Sequence, residues 1–254
     1  MNRRVVALVL IFVVVGAGTV LLLFPRNSAS FHLSAEYPDG EKEPVYLYLL
    51  DLEECALNIS FIDDPDLLYD MNIELDGSHP ASSTFDLIVK DYRDSNNWME
   101  VDFREVRSVT GLQVVLGSGV PYWIVVTGTS VNATVVYGNN VLGSDSSFDY
   151  RATGTYVNMI MTEDVVFASE GMEVDVGTGG VGMPDSIYFN LDLPEGINGI
   201  GSFSKPLYIH ANTGWSWYSE GGRFISYSTP ESSLQPLVEI VLSAEYSVHV
   251  WLSD

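Results

Sequence analysis

LVEIVLSAEYSVHVWL, residues Leu237 to Leu252, is the stretch from which the fold class is read. Within it, Val248-His249-Val250-Trp251-Leu252 sets an aliphatic residue at every second position. Successive side chains of a strand point to opposite faces, so this pattern predicts a strand with one dry and one wet face. The same alternation recurs in Met71-Asn72-Ile73-Glu74-Leu75, Met172-Glu173-Val174-Asp175-Val176 and Leu207-Tyr208-Ile209-His210-Ala211. Tyr122 to Val126 and Thr134 to Tyr137 run more continuously apolar, which suits strands covered on both sides. Turn residues punctuate these runs: Gly117-Ser118-Gly119, Gly138-Asn139-Asn140, Gly143-Ser144-Asp145 and Gly221-Gly222. No amphipathic helical window follows Phe24, so the predicted class is all-β.

Strand-to-turn units repeat loosely. They start at Leu112, Met172, Leu207 and Val238 and run into small or polar turns. Thr178-Gly179 and Thr213-Gly214 lie 35 residues apart, and Leu33-Ser34-Ala35-Glu36-Tyr37 returns as Leu242-Ser243-Ala244-Glu245-Tyr246. One such unit buries little by itself, so stacking is the natural route to a core. The expectation is a stacked β-solenoid or β-roll-like domain, with a β-sandwich as the alternative.

The series LPEG (Leu193 to Gly196), LYIHANTG (Leu207 to Gly214), a Gly/Ser/Tyr-rich loop and then Leu237 to Leu252 resembles the toast-rack adhesin type of β-solenoid module. The resemblance covers roughly residues 110–254 in layout. Ala244-Glu245-Tyr246 stands where that pattern has glycines. The resemblance implies a domain carried behind a membrane anchor, and it brings no catalytic residues.

Val5 to Phe24 is an uncharged apolar run of 20 residues preceded by Arg3 and Arg4. As a helix it would span about 30 Å, the thickness of a bilayer's hydrocarbon core. Residues 1–27 are therefore expected to be a signal-anchor transmembrane segment, with residues 28–254 as the exoplasmic domain. The protein would then sit in the plasma membrane with a single pass and its C-terminal domain outside. A cleaved signal peptide, cut near Ser28-Ala29-Ser30, is the rival. A composition drift near residue 110 suggests a subdomain boundary.

The chain carries 34 Asp and Glu against 11 Lys and Arg, a net charge of −23, and every acidic residue follows the anchor. Such a surface repels phosphates, so nucleic acid is excluded as a partner. Cys55 is the single cysteine and cannot form an internal disulfide. Beside Ala56 and Leu57 it reads as a small buried hydrophobe.

Chemical motifs are weak. Gly177 to Gly182 (GTGGVG) matches a dinucleotide-binding spacing, but Met183-Pro184-Asp185 leads into another strand and not a helix, so it reads as a corner. Asp63, Asp64, Asp66 and Asp70 could ligate Ca²⁺, yet lack the spacing of a known calcium loop and read as a solvated acidic turn. Asp145 and Asp149 are a weaker case. His32, His79, His210 and His249 are scattered, and no serine stands in a nucleophile elbow. No metal or cofactor is expected. Trp215 and Trp217, with Tyr218, could form a platform for a protein or glycan partner, or could pack into the core. Asn58-Ile59-Ser60 and Asn132-Ala133-Thr134 are glycosylation sequons.

The functional expectation is a non-catalytic, adhesin-like or envelope-structural surface protein. The alternatives are a glycan-binding or glycan-hydrolysing β-sandwich and an extracytoplasmic sensory or regulatory subunit.

Overall fold

The computed structural model describes residues 28–37, 42–76, 89–92, 98–103, 109–139, 141, 143, 145–153, 155–167, 171–177, 186–194, 197–203, 207–211, 216–220, 223–227 and 237–253. The run Val5 to Phe24, and with it the expected anchor, lies outside the described residues. Among the described residues no helix is long and apolar enough to cross a membrane.

The described chain is all-β. Its strands begin with β1 (Ser28–Glu36), β2 (Val45–Glu53), β3 (Ala56–Phe61), β4 (Leu67–Asp76), β5 (Val89–Tyr92) and β6 (Trp98–Asp102). Then come β7 (Val109–Leu116), β8 (Tyr122–Thr129), β9 (Asn132–Tyr137), β10 (Ser147–Thr153), β11 (Thr155–Met161), β12 (Met172–Val176) and β13 (Ser186–Asp192). The last are β14 (Asn198–Phe203), β15 (Leu207–Ala211), β16 (Ser216–Glu220), β17 (Arg223–Tyr227), β18 (Leu237–Leu242) and β19 (Ser247–Ser253).

They form two sheets. A front sheet of nine strands runs β1-β4-β7-β3-β9-β11-β13-β19-β15, and a back sheet of ten runs β16-β17-β14-β18-β12-β10-β8-β2-β6-β5. Chain-consecutive pairs place one strand in each sheet, and both sheets follow the same order: β6/β7, β2/β3, β8/β9, β10/β11, β12/β13, β18/β19, β14/β15. All neighbours within this series pair in parallel. Each pair is a rung, and seven rungs stack. Antiparallel strands flank the series: β4 and β1 beyond β7, β5 beyond β6, and β17 with β16 beyond β14. Strands on either side of residue 110 pair directly, β7 with β3 and β8 with β2.

The rung corners explain the short links. Glu54 and Ser130 take the left-handed backbone, at φ 48° and 54°, and turn the chain from back sheet to front sheet within two residues. The corners also bond to one another. The Glu54 N–H donates to the Thr129 carbonyl at 2.9 Å, and the Ser130 N–H to the Thr153 carbonyl at 2.7 Å. Cys55 and Val131 fill the inside of these corners and are buried, as read from sequence for Cys55. Strand β2 carries one extra residue, bulged at Asp51 (φ 59°). Opposite the bulge a Cβ on Gly128 would lie 2.2 Å from the Leu52 carbonyl oxygen, so this position takes only glycine.

The core lies between the sheets. Inward residues of both, such as Leu47, Ile124, Phe148 and Val174 behind and Ile59, Val135, Phe189 and Val250 in front, belong to one buried cluster. Phe61 of the front sheet meets Tyr122 of the back sheet edge-on at 5.4 Å. Each such side chain stabilises the fold by about 1.5–3 kcal/mol. The continuous runs differ from their sequence reading in one respect. Strand β8 alternates buried and half-buried residues, and so does the Thr134 to Tyr137 part of β9. Residues such as Trp123, Val125 and Val136 face outward, half-covered by their neighbours in adjacent strands.

Candidate functional site

The outer face of the front sheet is read along its register. A parallel sheet brings residues at matched positions to about 4.8 Å from one another. Across β11, β13, β19 and β15 one such row is Tyr156, Tyr188, His249 and Tyr208. The next row, two residues along each strand, is Asn158, Asn190, Trp251 and His210.

These side chains stack. Tyr188 and His249 lie 5.0 Å apart with planes 12° from parallel, and His249 and Tyr208 lie 4.7 Å apart at 15°. Trp251 and His210 lie 4.9 Å apart at 14°. The separations equal the strand spacing, so register alone imposes the stack. Asn190 Nδ2 donates to Asn158 Oδ1 at 2.6 Å, continuing the second row as an amide ladder. His249 is stacked on both ring faces, and Tyr188, Tyr208, Trp251 and His210 each turn one face to a neighbour. Ring edges, phenolic hydroxyls and amides are what the strip offers to solvent, while His249 Nε2 lies 3.2 Å from the Ser247 hydroxyl. Tyr156, Tyr188 and Tyr208 are 45%, 43% and 52% exposed, which confirms that the strip is open.

The strip contains no Asp, Glu, Lys or Arg, in a chain with 34 acidic residues. The amide row continues through Thr134, Asn58, Gln113 and Asn72 to His32. Both sequon asparagines are exposed on this same face, Asn132 beside Tyr156 of the strip and Asn58 one strand further away. The back sheet contrasts with it. There Glu173, Asp175, Glu239, Asp149 and Arg151 share the outer face. Arg151 Nε donates to Asp149 Oδ1 at 2.8 Å, and the carboxylate raises the pKa of the guanidinium further.

Of the aromatic residues singled out in the sequence, the two that are described lie elsewhere. Trp215 is outside the described residues. Trp217 and Tyr218 fall on β16 of the back sheet, opposite Ser226 and Ile225 of β17. They are not brought to the strip. The signal for the strip was present in the wet positions of LYIHA and VHVWL, which hold Tyr208, His210, His249 and Trp251. What was missing was the register that stacks them.

The acidic cluster has protein partners. Asp66 Oδ1 accepts from Lys42 Nζ at 3.0 Å, Asp64 Oδ1 from the Asp66 N–H at 3.0 Å, and Asp63 Oδ1 from the Ser118 hydroxyl at 3.3 Å. Asp70 pairs with His32 Nε2 at 2.9 Å. Among the described residues no group of three or more His, Cys, Asp and Glu is gathered to hold a metal ion. Gly177, first residue of the glycine motif, follows β12 at φ 91°, and β13 begins at Ser186; residues 178–185 lie outside the described residues.

No protein-family model and no curated protein matches the chain. Among solved structures it is similar to a crystal structure described as that of a candidate cell adhesion protein from Clostridium sporogenes ATCC 15579. The TM-score is 0.51 at 11% identity, over 89% of this chain and 100% of that one. At that identity the likeness is one of fold.

Proposed function

We propose that this chain is an adhesin-like surface protein whose β domain binds a partner and turns over no substrate. The carrying observation is the open, uncharged strip of stacked rings and amides on an otherwise acidic molecule. The fold likeness to a candidate cell adhesion protein supports the reading. So does the architecture, because stacked rungs in a solenoid-like body offer a long rigid face for extended contacts. In this reading Val5 to Phe24 is a retained single-pass anchor, with the domain outside the cell. Amino-terminal sequencing of membrane-extracted protein checks the anchor: a start near Ser28 or Ser30 would overturn it.

The binding role is tested with the full-length chain and an envelope fraction of the producing cells. The wild type should be retained. Replacing Tyr156, Tyr188 and Tyr208 together by Ser should lower retention at least tenfold, with the far-ultraviolet β signal unchanged. Retention unaffected by the triple change would remove the strip from the reading. Absence of retention by the wild type would remove the reading itself.

A further inference from the structure

Resting on that reading, we infer that the strip is a binding site for a neutral polysaccharide chain. Charge is the first argument. Anionic polymers are repelled by a molecule of net charge −23, and the strip carries no Lys or Arg to hold them locally. Cationic partners would be drawn to the carboxylates of the back sheet, away from the strip. An uncharged ligand meets neither effect.

Chemistry is the second argument. Tyr188 and Tyr208 each turn a ring face onto His249 between them, so a ligand lying on this part of the sheet meets ring edges and polar atoms. Asn190 gives one amide N–H to Asn158 and keeps further donor and acceptor capacity for a ligand. The strip is therefore a comb of hydrogen-bonding groups. A polyhydroxylated chain can satisfy such a comb with both donors and acceptors. A protein partner gains most from apolar anchors seated in pockets or from an open strand edge, and the flat face across β11, β13 and β19, where Tyr156, Tyr188, His249 and the two asparagines lie, is not an edge.

Periodicity is the third argument. The groups repeat once per strand, at about 4.8 Å, along a straight line across four strands. A linear polymer of sugar rings repeats on a similar length, so several polar contacts of like spacing can form side by side. Weak single contacts then add along one chain.

The test is affinity electrophoresis of the purified full-length chain in gels containing soluble glucan, mannan, galactan or chitin oligomers, with alginate and heparin as anionic comparisons. At least one neutral polymer should retard the protein, equally at 0.05 M and 0.5 M NaCl. The double change Asn158→Ala, Asn190→Ala should weaken retardation at least tenfold. The back-sheet double change Glu173→Gln, Glu239→Gln should leave it unchanged. If Asn158→Ala, Asn190→Ala lowers thermal stability, Tyr188→Ser and Tyr208→Ser, tested singly, must show the loss instead. No retardation by any neutral polymer, retardation by anionic polymers alone, or retardation indifferent to the strip variants would overturn the inference. If envelope retention survives in that case but is lost after protease treatment of the envelope, the partner is a protein. The surface-binding reading then stands while the polysaccharide inference falls.

Discussion

One buried thiol and three phenols show how single residues set the chemistry of the core. Cys55 is 1% exposed, and burial pushes its thiol up to about 12. Native protein at pH 8 should therefore leave a thiol reagent such as Ellman's unreacted and consume it only on unfolding. Rapid stoichiometric reaction of native protein would contradict this. Burial likewise drives the phenols of Tyr37, Tyr122 and Tyr137 well above the usual tyrosine value of 10.0. All four groups are neutral when folded and ionise more readily when unfolded. Their contribution is thus complete below about pH 9 and is lost as pH rises past the unfolded values. The melting temperature should fall between pH 9 and 11, and a flat curve would show that these side chains reach solvent. Hydrogen bonding separates two of the tyrosines. The Tyr150 hydroxyl donates to the Val131 carbonyl, whereas the buried Tyr137 hydroxyl has no protein partner. Tyr150→Phe should cost about 1 kcal/mol, and Tyr137→Phe should be neutral or stabilising by a similar amount, as read by urea denaturation.

At the level of elements, alternation was legible and adjacency was not. Leu207 to Ala211 and Val248 to Leu252 each announce a strand with a wet face. Nothing local says that β19 and β15 are neighbours, since 40 residues separate Leu207 from Ser247. Parallel partners are joined by crossovers, so no short hairpin fixes their register. The aromatic strip exists only through that register, which is why reading the chain locally favoured Trp215 and Trp217, close in sequence, over Tyr188, Tyr208 and Trp251, close in space. Similarly, Gly128 gave no sequence signal as a special position. It faces the bulge of β2, and Gly128→Ala should destabilise by about 1–3 kcal/mol because a backbone carbonyl blocks the methyl group. Gly111→Ala makes the comparison: its Cβ would meet only the Glu74 carboxylate, a side chain able to move, so the change should be near neutral. Equal melting temperatures for the two variants would refute the steric account.

For the whole molecule, charge and rung order matter most. A net charge of −23 acts against compaction, and salt screens it with a Debye length of about 10 Å at 0.1 M. The melting temperature should climb as NaCl is raised from 10 mM, and a falling curve would show that paired carboxylates dominate. Rung order has a different consequence. The pair β18/β19 follows β15 in the chain but lies between β12/β13 and β14/β15. A ribosome therefore delivers β14/β15 before the strands on which they must rest, and these earlier strands wait, unpaired at that side, until Leu237 to Ser253 emerge. Release of a chain cut before Leu237 would not yield a shorter version of the same fold. It would leave two facing strand edges in each sheet exposed to solvent, a template for association with other chains, so premature termination should produce aggregates where trimming an ordinary repeat array would spare the remainder.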